Sequence, residues 1–360
     1  MSSGTTAAPA PASDLPVSCK PLKFRGFRRL SPVGWQKTIY KRVTLLTLRA
    51  FPLELHNPMR EKITILGCLL LGIGGTHAAA QQRSPQNVRH AYLVTGAQTA
   101  IISETDQILW RYPRNTRDGC VLESGNVLLV LESGKNYPGG VVEVTRTGRT
   151  IFQYRGQQQT VNSAQRLPGN LTLISEGGRQ PQIIIVDAKG QPKIRIPVAT
   201  QSDNPKAQIS FARAAVPRRV LVTLPADRQI REYDLEGKVR WKWTAPHPPA
   251  NAVRLPNGHT LVSLRGDRLV EVNAAGKIVW QMTPKDFDKP YLNGLSNFRV
   301  LANGNLVFAA ANPDTKIGRL MEFSRDKKLV WYARQPNRQP PRHFHILTTN
   351  GKPIPAPPLR

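Results

Sequence analysis

The stretch Asn251-Ala-Val-Arg-Leu-Pro-Asn-Gly258, His259-Thr-Leu-Val-Ser-Leu264, Arg268-Leu-Val-Glu-Val272, Asn273-Ala-Ala-Gly276, Lys277-Ile-Val-Trp280 decides the fold. It holds four short apolar runs separated by turn residues. Runs of this length, rich in Val, Leu and Thr and bounded by Asn, Gly and Pro, read as strands and not helices. Asn257-Gly258 predicts a tight hairpin in which both central residues take positive φ. Ala274-Ala-Gly276 closes the third strand onto the fourth.

The unit recurs along the chain. The end of the fourth strand is read at Trp110, Phe152, Arg195, Trp241, Trp280 and Trp331, spaced 39 to 51 residues apart. The first turn recurs as Glu123-Ser-Gly125-Asn, Pro168-Gly169-Asn, Ala302-Asn-Gly304-Asn and Thr349-Asn-Gly351-Lys, and is degenerate at Pro217-Arg218-Arg219. Residues 90–110 supply strands two to four of a unit without strand one. Residues 343–347 supply a strand one and then run into Pro-rich sequence. The two half-units predict one shared blade, which ties the chain into a ring and removes exposed sheet edges. The expected fold is all-β: a six-bladed β-propeller of four-stranded antiparallel blades over residues 81–360, closed by the N- and C-terminal strands in one blade. A period near 45 residues suits such blades and is too long for leucine-rich repeats. An open solenoid would leave the complementary half-units unexplained. The recurring aromatics are expected to glue neighbouring blades, each burying roughly 150–250 Å².

The N-terminal region reads as a leader. Residues 63–75 form a short apolar run preceded by Arg60 and Lys62 and followed by Ala78-Ala79-Ala80. That pattern predicts a secretory signal over residues 59–80 cut after Ala80, and the run is short for a span of ~20 residues. Residues 1–58 read as a disordered basic leader or a spurious extension upstream of a start at Met59. The expected location is the periplasm, cell envelope or exterior, with no stable membrane span after cleavage.

Lys and Arg outnumber Asp and Glu by 51 to 23, and +20 of the formal charge of +28 falls in residues 81–360. Such a surface attracts anionic small molecules and acidic polysaccharides. No Lys/Arg block, zinc spacing or RNP-type aromatic motif indicates specific nucleic-acid binding. Of Cys19, Cys68 and Cys120 only Cys120 lies in the repeat region, so no disulfide forms within it. The chain reads as a monomer.

The Gly-Lys-x-x-Trp endings (Asp234-Leu-Glu-Gly237-Lys-Val-Arg-Trp241 and Gly276-Lys-Ile-Val-Trp280) resemble the repeat of quinoprotein-like (PQQ-like) propellers. Leu255-Pro-Asn-Gly-His-Thr-Leu-Val262 is similar to repeats of arylsulfotransferase-like propellers. The resemblance spans roughly residues 88–351. It implies a propeller; for catalytic members it implies PQQ with calcium on eight blades, often with a Cys-Cys disulfide, or a histidine nucleophile near the channel. This chain has six repeats and no Cys-Cys pair, and the residues themselves call for no cofactor.

First strands of propellers line the central channel. Aligned on Leu122, Leu167, Ala215, Leu255, Leu301 and Leu347, they place Asp118, Ser163, Phe211, Asn251, Asn297 and His343 four residues upstream. Two upstream lie Cys120, Gln165, Arg213, Val253, Arg299 and His345, on the same face. The candidate ligand-binding set is Ser163, Arg213, Asn251, Asn297, Arg299, His343 and His345, suited to an anion held by guanidinium groups. His343 with Asp118 is the candidate general-base pair. His343-x-His345 lacks a third ligand, so no metal site is expected. The expected function is ligand or protein binding or scaffolding, with a channel-mouth enzyme of arylsulfotransferase-like or PQQ-dependent type as the alternative.

Overall fold

The computed structural model describes residues 81–311, 319–334 and 341–354. The predicted leader (1–58), signal (59–80) and residues 355–360 lie outside them. The described residues form six small antiparallel sheets in a ring, a six-bladed β-propeller with very little helix. The inner strands of blades 1 to 6 are His343–Thr349, Thr116–Val121, Thr160–Leu167, Phe211–Ala214, Pro249–Arg254 and Leu295–Val300. Both faces of each blade are covered by its neighbours, so their middle strands read as unbroken Val/Leu/Ile runs such as Val127–Leu131. The cores accordingly lie between blades: Val141, Phe152 and Tyr154 of blade 2 pack on Val161, Ile174 and Ile184 of blade 3.

Blade 1 is composite, as the half-units predict. His343–Thr349 pairs with His90–Thr95 in the register His90↔Thr349 to Thr95↔His343. Two fifth strands were not legible in the repeat. Gln81–Arg83 pairs with Leu329–Arg334 on the outside of blade 6, and Lys352–Pro353 folds back on the inner strand of blade 1. The N-terminal segment therefore clasps blade 6 before it enters blade 1. Its latch is the buried Gln82. The Oε1 atom accepts from Trp331 Nε1 (2.9 Å) and the His90 amide (3.0 Å), while Nε2 donates to the Ser103 carbonyl (2.9 Å).

Two local expectations need correction. At Asn257-Gly258 only the glycine is left-handed, with φ 82°. Gly258 N–H donates to Leu255 O, and Leu255 N–H to His259 O. This is a type I turn closed by a left-handed glycine, a longer loop than the two-residue turn expected. In blade 3 the fourth-strand position falls on Ile194 and not Arg195. Ile194 pairs with Ile185 just as Trp241 pairs with Glu232 in blade 4.

That pairing carries the joints between blades. In blades 2, 4, 5 and 6 the third strand places Glu143, Glu232, Glu271 and Glu322 opposite the aromatics Phe152, Trp241, Trp280 and Trp331. Each carboxylate is buried and takes one donor from its own blade, just after the first turn: Asn126 (2.7 Å), Arg219 (2.8 Å), His259 (2.7 Å) and Asn305 (2.7 Å). Each takes a second donor from the next blade: Arg166 (2.5 Å), Arg254 (2.7 Å), Arg325 and His90 (2.7 Å). The second donor also packs on the aromatic ring. Arg254 lies 4.7 Å from the Trp241 centroid, Arg325 lies 4.1 Å from Trp280, and His90 meets Trp331 edge-on at 4.7 Å. A buried carboxylate is tolerable only when so paired.

Glu232→Ala leaves Arg219 and Arg254 without their shared carboxylate and is expected to cost about 3 kcal/mol in urea unfolding. Arg218→Ala, which breaks the exposed pair with Glu236, should stay within about 0.5 kcal/mol. Equal losses would show that the joints do not depend on the buried carboxylates. Gln82→Ala should cost about 2 kcal/mol, because it strands the buried Trp331 N–H; an unchanged unfolding midpoint would show that Gln82 is no latch.

Candidate functional site

The strand registers uphold the alignment of the inner strands. His345, Cys120, Gln165, Arg213, Val253 and Arg299 pair with matching residues of the second strands, from Leu93 to Val307. Inner strands of neighbouring blades have no sheet hydrogen bonds to one another, so side chains make those ties. Asp118 Oδ2 accepts from the Ala164 amide (3.1 Å), Ser163 Oγ from Ala212 (3.0 Å), Gln165 Oε1 from Ala214 (2.9 Å) and His345 Nδ1 from Val121 (3.1 Å). Asn251 Nδ2 donates to Asn297 Oδ1 (2.7 Å), which also accepts from the Phe298 amide (2.7 Å). Ser163, Asn251, Asn297 and His345 thus use atoms to bind the ring together, a demand the alignment alone did not reveal. Asn297 Nδ2 is buried without a partner among the described residues.

The channel narrows at the level of Asp118. Arg213 reaches over blade 3 to Asp118, with Nη2 at 2.8 Å from Oδ2 and Nη1 on the Ala212 carbonyl (3.1 Å). Its guanidinium also covers the Phe211 ring at 4.8 Å. Phe211 of blade 4 meets His343 of blade 1 with centroids 5.8 Å apart, so it narrows the ring from the opposite side. Its signal in the sequence was an aromatic at the one position of that row where the other five are polar.

The candidate pair is brought together: His343 Nδ1 lies 3.3 Å from Asp118 Oδ1. The protonation states do not suit a base. Burial drives His343 down to about 3, helped by Arg213 and Arg299 and opposed by Asp118. Burial and the nearby Arg299 push His345 well below the ordinary histidine range. Burial raises the Asp118 carboxyl, but Arg213 and His343 outweigh it and hold the group below its usual range. The result is two neutral imidazoles, one carboxylate and two guanidiniums. Cys120, half-buried, is pushed up to about 11 by burial, against the lowering effect of Arg299, so it stays a thiol at neutral pH.

Arg299 stands apart. Arg213 is held by a carboxylate and a carbonyl, whereas the Arg299 guanidinium has no hydrogen-bond or ion-pair partner among the described residues. Burial lowers its pKa, with Arg213 adding to the effect and Cys120 and Asp118 opposing it. Among the described residues no three His, Cys, Asp or Glu side chains converge as a metal would require, and no helix is long and apolar enough to cross a membrane.

No protein-family model matches the sequence, and no curated protein does. Among solved structures the chain is similar to a protein of unknown function from Bacteroides caccae. The two are 22% identical over 74% of this chain and 99% of that one, with a TM-score of 0.62. It is also similar to the WD40 β-propeller domain of Doa1, at 13% identity over 70% of this chain and 85% of that one, with a TM-score of 0.50. A catalytically inactive virginiamycin B lyase from Staphylococcus aureus matches at 12% identity over 72% and 89%, with a TM-score of 0.49. The first two likenesses show the propeller fold alone.

The buried histidines predict acid sensitivity. Unfolded histidine titrates near 6.5, while native His343 stays neutral to about pH 3 and His345 titrates far below its ordinary value. Below pH 6.5 the unfolded chain therefore binds more protons, and stability falls as pH drops. The slope from His343 alone approaches roughly 1.4 kcal/mol per pH unit between pH 6 and 4, and His345 adds to it in the same direction. His343→Gln should lower the slope by about that amount in urea titrations; an unaltered pH profile would contradict a buried neutral imidazole.

Proposed function

We propose that the protein is an exported binding propeller that captures a small anion in its central channel, with Arg299 as the anchor. The single observation that carries this reading is the half-buried guanidinium of Arg299, unpartnered among the described residues, in a ring whose other charges, Arg213 and Asp118, already satisfy each other. With both imidazoles neutral, the remaining charge at the site is one positive unit, which suits a monoanion. An oxygen of a carboxylate, sulfate or phosphate group would take the charge-assisted donors of Arg299. The Asn297 Nδ2 is a second unfilled donor. Neutral His343 serves as a hydrogen-bonding wall. The level formed by Phe211, His343 and Asp118, where the channel narrows, is its floor.

Export is supported by the charged, apolar and small-residue sequence of residues 59–80. The enzymatic alternative, sulfuryl transfer or quinone-dependent oxidation, gains less. It would place the chemistry on His343, and a histidine held at about 3 is a poor proton acceptor near neutrality.

Isothermal titration with sulfate, phosphate, acetate and benzoate tests the reading. At least one should bind with a stoichiometry of one. Arg299→Ala should weaken that anion at least tenfold, about 1.4 kcal/mol, and Arg299→Lys should restore part of the loss. Binding that survives Arg299→Ala, or no binding by any of the four at millimolar concentration, would reject the channel site.

A further inference from the structure

Two of the six joints lack the buried glutamate, and only one of them keeps a polar member of the staple. At the joint between blades 3 and 4, every polar member of the staple is replaced by an apolar one. Ile185 stands for the glutamate, Leu171 for the donor after the first turn, Ala214 for the inner-strand arginine and Leu235 for the turn arginine. Ile185, Ile194, Leu171 and Leu235 all join the core there. The joint between blades 1 and 2 makes the first three exchanges, with Ile101 opposite Trp110, Ala91 and Val121. It keeps the fourth polar member. Arg146 occupies the turn position that Arg325 holds in blade 6, three residues beyond the third-strand glutamate of its own blade.

The consequence is an open cleft of about 720 Å³ between blades 1 and 2, lined by Ala91, Ile101, Trp110, Val121, Leu347 and Arg146 among others. His345 lies at its inner end, in the same cross-strand row as Leu93, Ile101 and Trp110. Leu109, on its rim, is 62% exposed. Arg146 is fixed in place: Nε donates to the Gly125 carbonyl at 2.9 Å, and the guanidinium lies 5.9 Å from the Trp110 centroid. Its two terminal nitrogens have no carboxylate partner among the described residues, whereas Arg325 stacks on Trp280 and ion-pairs with Glu271. The volume falls within the small-molecule range of roughly 300–1,000 Å³.

We infer that this cleft is a second binding site, for a small molecule with an aromatic or aliphatic body and a single anionic group. The ligand supplies what Ile101 does not: a negative charge for Arg146, carried on an apolar body that fills the gap beside Trp110. Glu123 on the same rim has no ion-pair partner among the described residues and sets itself against ligands of higher negative charge. The site does not rest on the channel reading, because Arg299 takes no part in it.

The test uses 1-anilinonaphthalene-8-sulfonate as probe, with the full chain. One molecule should bind per chain by isothermal titration and quench part of the tryptophan emission. The uncharged N-phenyl-1-naphthylamine should bind at least tenfold more weakly. Ile101→Glu, which turns a carboxylate towards Arg146, should weaken the probe at least tenfold. Should that variant fold poorly, Arg146→Gln alters an exposed side chain and is expected to give a similar loss, while Arg299→Ala leaves the probe unaffected. Unchanged affinity in Arg146→Gln, or several weak sites per chain, would overturn the inference.

Discussion

The ring depends on how each blade grips the next. Within a blade, ladder hydrogen bonds satisfy the backbone. Between blades there is no ladder, and the faces that meet are apolar and roughly equivalent. Apolar contact supplies attraction but little register. The buried glutamates supply direction. Each accepts from a residue just after its own first turn and from a cation or imidazole of the following blade, and that second group is also pressed against an aromatic ring. A carboxylate with two donors at 2.5–2.8 Å fixes the rotation of one sheet on another in a way that isoleucine against valine cannot. A buried ion pair need not raise stability above an apolar isostere. The joint between blades 3 and 4 demonstrates the isosteric solution in the same molecule, with Ile185 and Ile194 in place of the polar set.

This reading gives the turn sequences a second purpose. The Gly-Asn and Gly-His steps at 125–126, 258–259 and 304–305 were legible as turn signals. The glycine takes the left-handed conformation, and the residue after it immediately precedes the second strand. That residue is also the own-blade donor to the glutamate. The glutamates belong to the third strands, where a charged residue in an apolar run marks either an exposed face or a paired site. A single sequence does not separate the two, because the partner lies in the next repeat at a spacing that varies with each loop.

Much of the architecture was readable for the opposite reason. The closure of blade 1 followed from counting strands in the end units, which requires no knowledge of side-chain contacts, and the observed register from His90↔Thr349 to Thr95↔His343 bears it out. The extra strands Gln81–Arg83 and Lys352–Pro353 were not readable, since three- and two-residue strands carry no periodicity. The shift from Arg195 to Ile194 has a related origin. Blade 3 has lost its aromatic, and with it the marker used for alignment. At the inner strands Asp118 and His343, matched by strand position in the sequence, lie 3.3 Å apart. The sequence could not distinguish side chains facing the channel from side chains committed to neighbouring amides, because both are polar and both sit at the same strand position.

That distinction decides what the molecule offers a ligand. A polar atom already bonded inside the ring is structural, since displacing it would leave a buried amide unmet. Ser163 Oγ and His345 Nδ1 belong to this class. Arg213 is bound as well, by Asp118. What remains are groups that the repeat's pairing rules leave over: Arg299, whose inner-strand neighbours supply no counter-charge, and Arg146, retained at a joint that lost its glutamate. In a fold built from near-identical units, each departure from the unit is either compensated nearby or left open. Blade 3 compensates with isoleucine, and the joint between blades 1 and 2 does not. An uncompensated cation beside an apolar cavity is the kind of asymmetry that a symmetric scaffold needs before it can bind one ligand in one orientation.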